Sequence, residues 1–197
     1  IVNIDDEHTK DILERSNCEI ETFGFSESAD FKALYFALPP AEFPQNTEKL
    51  GIVDGNSSHA YTLHDKKEMW NAEVDNQNKR LFTFIPIDYN IEIDRGDGYK
   101  ESTCDGMILC EEIDFLSFVE LKKVRAGGDA DARKQLKNTI IIFNERHDYK
   151  RFNKKNRRAY VANREHPYFH KSEKNVEEEF RDVLHFRLFQ QFKIELP

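Results

Sequence analysis

Hydrophobic and polar positions change period several times along the chain, and each change marks an element. Around residues 5–16, Ile4, His8, Ile12 and Leu13 share one side of a predicted helix whose first turn is rich in acids, where the helix dipole favours them. Residues 18–25 alternate loosely and begin a sheet, and residues 31–38 form a second apolar run closed by Pro39 and Pro40. From there Pro44, Gly51, Gly55 and Asn56 sit among polar residues, which predicts a loop insertion over about 39–60. Residues 80–87 carry Leu81, Phe82, Phe84, Ile85 and Ile87 and read as a buried strand, with Pro86 favouring an edge or a bulge.

The next stretch is the most informative. Two strand-like runs, 104–110 and 115–123, flank a short acidic turn at 111–114. Gly127, Gly128 and Asp129 then break the chain and supply an N-cap for a helix over about 130–144, with Leu136, Ile140 and Phe143 on one stripe. Tyr160, Val161 and Ala162 predict another strand. Residues 177–194 predict a final amphipathic helix with Phe180, Val183, Leu184, Leu188 and Phe192 inward. The order of elements predicts an α/β protein with a central mixed β-sheet flanked by helices, in one domain over 1–197.

Composition narrows this picture. The 197 residues suit one sizeable core, and 16 Phe, 7 Tyr and 1 Trp supply enough ring surface to exclude a disordered chain, although 34% of residues are charged. No apolar run approaches the ~18–20 residues that span a bilayer, and no signal-peptide pattern opens the chain. Cys18, Cys104 and Cys110 cannot all pair and fit no zinc spacing, so a reduced, cytoplasmic protein with no membrane partner is expected. The chain opens on Ile1 rather than Met, which predicts a longer translated product.

The net charge of −8 argues against a general nucleic-acid coat, but it is unevenly spread. Between Arg146 and Arg164 eight basic side chains, among them Lys150, Arg151, Lys154, Lys155, Arg157 and Arg158, are opposed only by Asp148. Tyr149, Phe152 and Tyr160 interleave them. This is a candidate nucleic-acid-binding stretch, and a solvated loop is the plainer alternative.

The hairpin carries the chemistry. If Cys110 pairs with Phe115 across the turn, Asp105 falls opposite Glu120, with Cβ atoms about 5 Å apart on one face. Lys122 follows on that face, while Val119 and Leu121 turn to a core. Two facing carboxylates repel unless a proton or a cation intervenes. A hard divalent ion resolves the conflict, and a lysine beside it can hold attacking water, the makings of phosphodiester hydrolysis. A structural ion cluster at the end of a hairpin is the simpler account of the same residues. Gln135 could project toward the hairpin from the helix that follows.

Cys104-Asp105-Gly106-Met107-Ile108-Leu109, then Phe118-Val119-Glu120-Leu121-Lys122, then Gln135-Leu136 on a helix, together resemble the PD-(D/E)XK nuclease superfamily. The resemblance implies a restriction-endonuclease-like core. It implies that Asp105, Glu120 and the Leu121 carbonyl ligate Mg²⁺ or Mn²⁺, that Lys122 positions or activates water, and that Gln135 orients the site. An additional acid from the first helix would be Glu14. Cys104 stands where the family's proline stands. The expected activity is metal-dependent hydrolysis of DNA, with RNA as the other polymer and a homodimer as one arrangement. The rival expectation is an inactive nuclease-fold module that binds nucleic acid or a protein partner. The paired histidines His59 with His64 and His166 with His170, together with His147 and Trp70, read as ordinary surface or core residues rather than a metal centre.

Overall fold

The computed structural model describes residues 2–3, 15, 22–24, 31–32, 44–91, 93, 99–123, 129–165 and 174–197. The chain falls into two compact units, Ile1–Leu38 and Pro39–Pro197. In the first, β1 (Val2–Asn3), β2 (Thr22–Gly24) and β3 (Phe31–Lys32) pair in parallel in that order. The helix expected over residues 5–16 lies outside the described residues except for Arg15, which is helical. Glu14 also lies outside them.

The described residues of the second unit hold two mixed sheets and one long helix. β4 (Lys49–Val53), β5 (Tyr61–Leu63), β6 (Ala72–Asp75) and, from the end of the chain, β12 (Lys193–Glu195) form a sheet ordered β12-β6-β4-β5. The larger sheet is ordered β11-β10-β9-β8-β7. It comprises β7 (Thr83–Pro86), β8 (Gly106–Cys110), β9 (Phe115–Lys122), β10 (Arg157–Asn163) and β11 (Arg187–Gln190). β7, β8 and β9 run antiparallel, whereas β9, β10 and β11 run parallel. Pro86 sits on β7, an edge strand, where its missing N–H costs no ladder bond.

β9 is buried at seven of its eight positions because both faces of its sheet are covered. Phe115, Val119 and Leu121 join Leu50, Ile52 and Val74 of the smaller sheet in one core. On the opposite face Phe118 meets Phe143 and Phe186 edge-on, with ring centroids at 5.3 and 5.5 Å. Phe143 belongs to α1 (Asp129–Arg146), whose fully buried stripe is Ala132, Leu136, Ile140 and Phe143. The Gly127 and Gly128 break expected before it lies outside the described residues.

Three expectations are corrected here. The central sheet was expected to be flanked by helices; among the described residues α1 covers one face of it and the smaller sheet covers the other. Part of that smaller sheet is β4, which runs through the segment expected to be a loop. Gly51 marks a close approach within this strand rather than a turn, since a Cβ there would overlap the Trp70 ring. Gly51→Ala should therefore cost about 1–3 kcal/mol, measured by urea unfolding, with loss of the buried-indole fluorescence at a lower midpoint.

The third correction concerns the final helix. α2 (Lys174–Glu178) continues only through the π-helical turn Glu179–Val183, and β11 and β12 follow it. His185, at φ 66°, turns the chain out of helical geometry. Phe186, Leu188 and Gln190 are then buried at alternate positions, while Val183 stays 66% exposed. The period is two, not 3.6. Among the described residues no helix is long and apolar enough to cross a membrane.

Candidate active site

The β8 and β9 hairpin pairs Cys110 with Phe115 and Gly106 with Val119, the register expected from a four-residue turn. The 3₁₀ turn Glu111–Ile113 and Asp114, in left-handed geometry at φ 48°, close it. One step beyond Gly106, the Asp105 carbonyl accepts from the Ile87 N–H at 2.8 Å, so the extended backbone carries Asp105 level with Glu120. Its Oδ2 accepts from the Leu121 N–H at 2.6 Å. Even-numbered positions of β9 face α1, which puts Glu120 and Lys122 beneath the helix.

There the charged groups form one connected array. Lys122 Nζ lies 2.6 Å from Glu120 Oε1 and donates to Gln135 Oε1 at 3.2 Å. Gln135 Nε2 donates in turn to the Thr103 carbonyl at 3.2 Å. The α1 residue next in line, Thr139, accepts from the Cys104 N–H at 2.8 Å and donates to the Gln135 carbonyl at 2.9 Å. Glu120 is 2% exposed at the floor, whereas Asp105, Lys122 and Gln135 are half-buried and open the array to solvent. Glu120 Oε2 is buried and has no hydrogen-bond partner.

Electrostatics follow from this burial. Desolvation pushes the Asp105 carboxyl up to about 7; the Leu121 N–H and Lys122 oppose the rise, and the charges of Asp54 and Asp88 add to it. Glu120 is pushed up to about 8, first by burial and then by the charge of Asp105, against the pull of Lys122. Burial and the Glu120 charge raise the Cys104 thiol well above its usual range, so it is no nucleophile.

The sequence therefore anticipates Asp105, Glu120, Leu121, Lys122 and Gln135 as one group, and the structure brings all five together. It also adds two acids. Asp54 follows β4, where its N–H donates to Asn71 Oδ1 at 3.0 Å and its Oδ1 accepts from the Asn56 N–H at 2.8 Å. Asp88 follows β7 and pairs with Lys100 at 3.0 Å. Both are distant from Asp105 in sequence, and only the pairing of strands could have pointed to them.

Among the described residues no group of three or more His, Cys, Asp or Glu side chains is arranged to hold a metal ion. An ion at this site would rest on two carboxylates, a backbone carbonyl and non-protein oxygens. That is the mode of Mg²⁺ rather than of a metal needing a full protein cage. The unpartnered Glu120 oxygen and the mutual repulsion of the two acids fit such an ion.

The basic stretch lies elsewhere. Because β10 runs parallel to β9, the chain enters it beside the start of β9. Arg157 is level with Leu116, and Val161 is level with Glu120, roughly 13 Å along the strand. Lys150 and Arg151 occupy the 3₁₀ turn Tyr149–Arg151, and Lys154 and Lys155 the turn after it. Asn156 Nδ2 donates to the Ile113 carbonyl at 2.7 Å, and Arg151 reaches Glu111 at 3.5 Å. Arg158 donates to the Tyr160 hydroxyl at 3.1 Å and the Glu195 carbonyl at 2.9 Å. These cations lie around the hairpin tip and do not border the carboxylates.

Two of the remaining candidates are ordinary. Trp70 is core, its Nε1 donating to the Asp65 carbonyl at 3.1 Å. His147 packs on Phe143 at 4.7 Å, and His166 and His170 lie outside the described residues. Compared with protein-family models, curated proteins and solved structures, the chain matches none.

Proposed function

We propose that the chain is a metal-dependent phosphodiester hydrolase with a restriction-endonuclease-like core, a nuclease acting on DNA. The observation that supports this reading most is the array of Asp105, Glu120, Lys122 and Gln135, open to solvent on one side and holding a buried carboxylate oxygen without a partner. Asp105, Glu120 and the Leu121 carbonyl would hold Mg²⁺ or Mn²⁺, which supplies positive charge for the phosphate oxygens.

Every other part of the chemistry belongs to the chain itself. An ammonium has three donors. Lys122 commits one to Glu120 and one to Gln135, so a third can hold water or steady a phosphate oxygen. Gln135 fixes that direction, because its Nε2 is anchored on the Thr103 carbonyl and its oxygen is thereby turned to Lys122. Water attacks phosphorus, a new P–O bond forms, the ester P–O bond breaks, and the proton lost by the water balances the one gained by the leaving oxygen.

Lys122→Ala should lower cleavage by about 10²–10³-fold and Gln135→Ala by about tenfold, with unchanged far-ultraviolet circular dichroism. The assay compares single- and double-stranded DNA and RNA with Mg²⁺, with Mn²⁺ and with a chelator. Equal cleavage with and without Lys122 overturns the mechanism. A second reading draws on the 2.6 Å contact of Lys122 with Glu120, which gives that acid a partner with no ion present. By it the chain is an inactive nuclease-fold module that binds nucleic acid or a protein. Such a module would show no thermal stabilisation by Mg²⁺ or Mn²⁺.

A further inference from the structure

At the other end of β9 and β10 the structure keeps a buried cation without a counter-charge. Arg157 is 7% exposed, its Nε is buried without a hydrogen-bond partner, and no carboxylate lies within ion-pairing distance of it among the described residues. Other cations of this unit do better: Lys49 reaches Glu73, Arg80 reaches Glu112, and Arg151 reaches Glu111. The Arg157 guanidinium instead lies over the Tyr149 ring, 5.2 Å from its centroid. His185 stacks on the same ring at 5.5 Å and 12°. The nearby acid Asp182, which feels the charges of Lys154 and His185, is taken up by Arg181 through two contacts of 2.8 Å. Burial without an anion holds the Arg157 guanidinium below its usual range.

Leaving a buried charge uncompensated is costly to a fold. A planar guanidinium supported on an aromatic ring is also the group best shaped to take a tetrahedral oxyanion through two parallel N–H bonds. Lys154 adds an exposed cation in the same neighbourhood. We propose that Arg157, resting on the Tyr149 ring that His185 backs, is a phosphate-binding site separate from the carboxylates. The proposal stands apart from the hydrolytic reading, because the two sites lie at opposite ends of the same strands and this one needs no divalent ion. The phosphate can belong to a polynucleotide backbone or to a free phosphomonoester, and the chemistry of capture is the same.

The test is titration of the whole chain with inorganic phosphate, in chelator and at constant ionic strength, followed by calorimetry and by the Nε–Hε resonance of Arg157. One saturable site is expected, with that resonance shifting along the same curve. Arg157→Gln should weaken it by about tenfold or more. In chloride that variant should melt no lower than the wild type, since a charge without a partner has been removed. Absence of saturable binding by the wild type, or equal binding by Arg157→Gln, overturns the proposal. Should Arg157→Gln fail to fold, the wild-type resonance decides alone: no shift overturns it. A short oligonucleotide that displaces the phosphate identifies a polymer backbone as the ligand, and one that does not identifies a free phosphomonoester. Either result upholds the site.

Discussion

At pH 7.5 the Glu120→Gln protein should melt at a higher temperature than the wild type and cleave no nucleic acid. The two effects share one cause. Glu120 is buried beneath α1 with one oxygen unpartnered, and its carboxyl is pushed up to about 8. At pH 7.5 the folded protein must keep a proton there that the unfolded chain releases, and this costs stability. Glutamine has the same shape and carries no charge to desolvate, so the cost disappears. Its oxygen still accepts from Lys122, and because the wild-type carboxyl is mostly protonated at this pH, little charge pairing is lost. The net change is on the order of 2 kcal/mol, or about 4–8 °C for a chain of this size. Under the proposed function the same substitution would remove an anionic ligand, and cleavage should then fall by about 10³-fold or more. The gain should shrink toward pH 4, where the wild-type carboxyl is protonated in both states. A variant that melts lower than the wild type at pH 7.5 would show that ionised Glu120 supports the fold.

Raising the pH should lower the stability of the wild type, and divalent ions should restore it. Asp105 and Glu120 titrate at about 7 and about 8 in the folded protein, and near the ordinary values of about 4 when unfolded. Between those limits the folded state binds more protons than the unfolded one, so stability falls as pH rises from about 4 through about 8 and then levels. An ion must displace the same protons to bind. Millimolar Mg²⁺ or Mn²⁺ should therefore raise the melting temperature strongly near pH 8.5 and little near pH 6. Thermal melts at the two pH values, with ion or with chelator, decide the matter. An equal shift at both would mean that the ion binds elsewhere.

How much of this was legible in the text of the chain depends on the range of the forces involved. The hairpin was readable because its register follows from one short turn and a period of two, both local. Gln135 was readable because α1 starts soon afterwards. β4 was hidden because Gly51 looks the same whether it ends a strand or makes room for Trp70, and Trp70 arrives from a distant part of the chain. The end of the chain reads as a helix because Phe180, Leu184 and Leu188 satisfy a helical spacing, while Phe186, Leu188 and Gln190 satisfy that of a strand. The left-handed turn at His185 chooses between them. The basic stretch follows the hairpin closely in sequence, yet the parallel pairing of β10 with β9 carries it to the far end of the strands, which no local pattern announces.

Thr139 and Gln135 leave α1 little freedom. Between them they hold the Cys104 N–H and the Thr103 carbonyl, and Asn138 on the intervening turn holds Glu101 at 3.1 Å. Helix and strand are thus geared together along the approach to Asp105. If the helix slid by one turn, it would release Lys122 from its guide and the acid-bearing strand from its anchor in a single event. The array is then either whole or dismantled, with no half-assembled form in which the carboxylates stand ready while the lysine wanders.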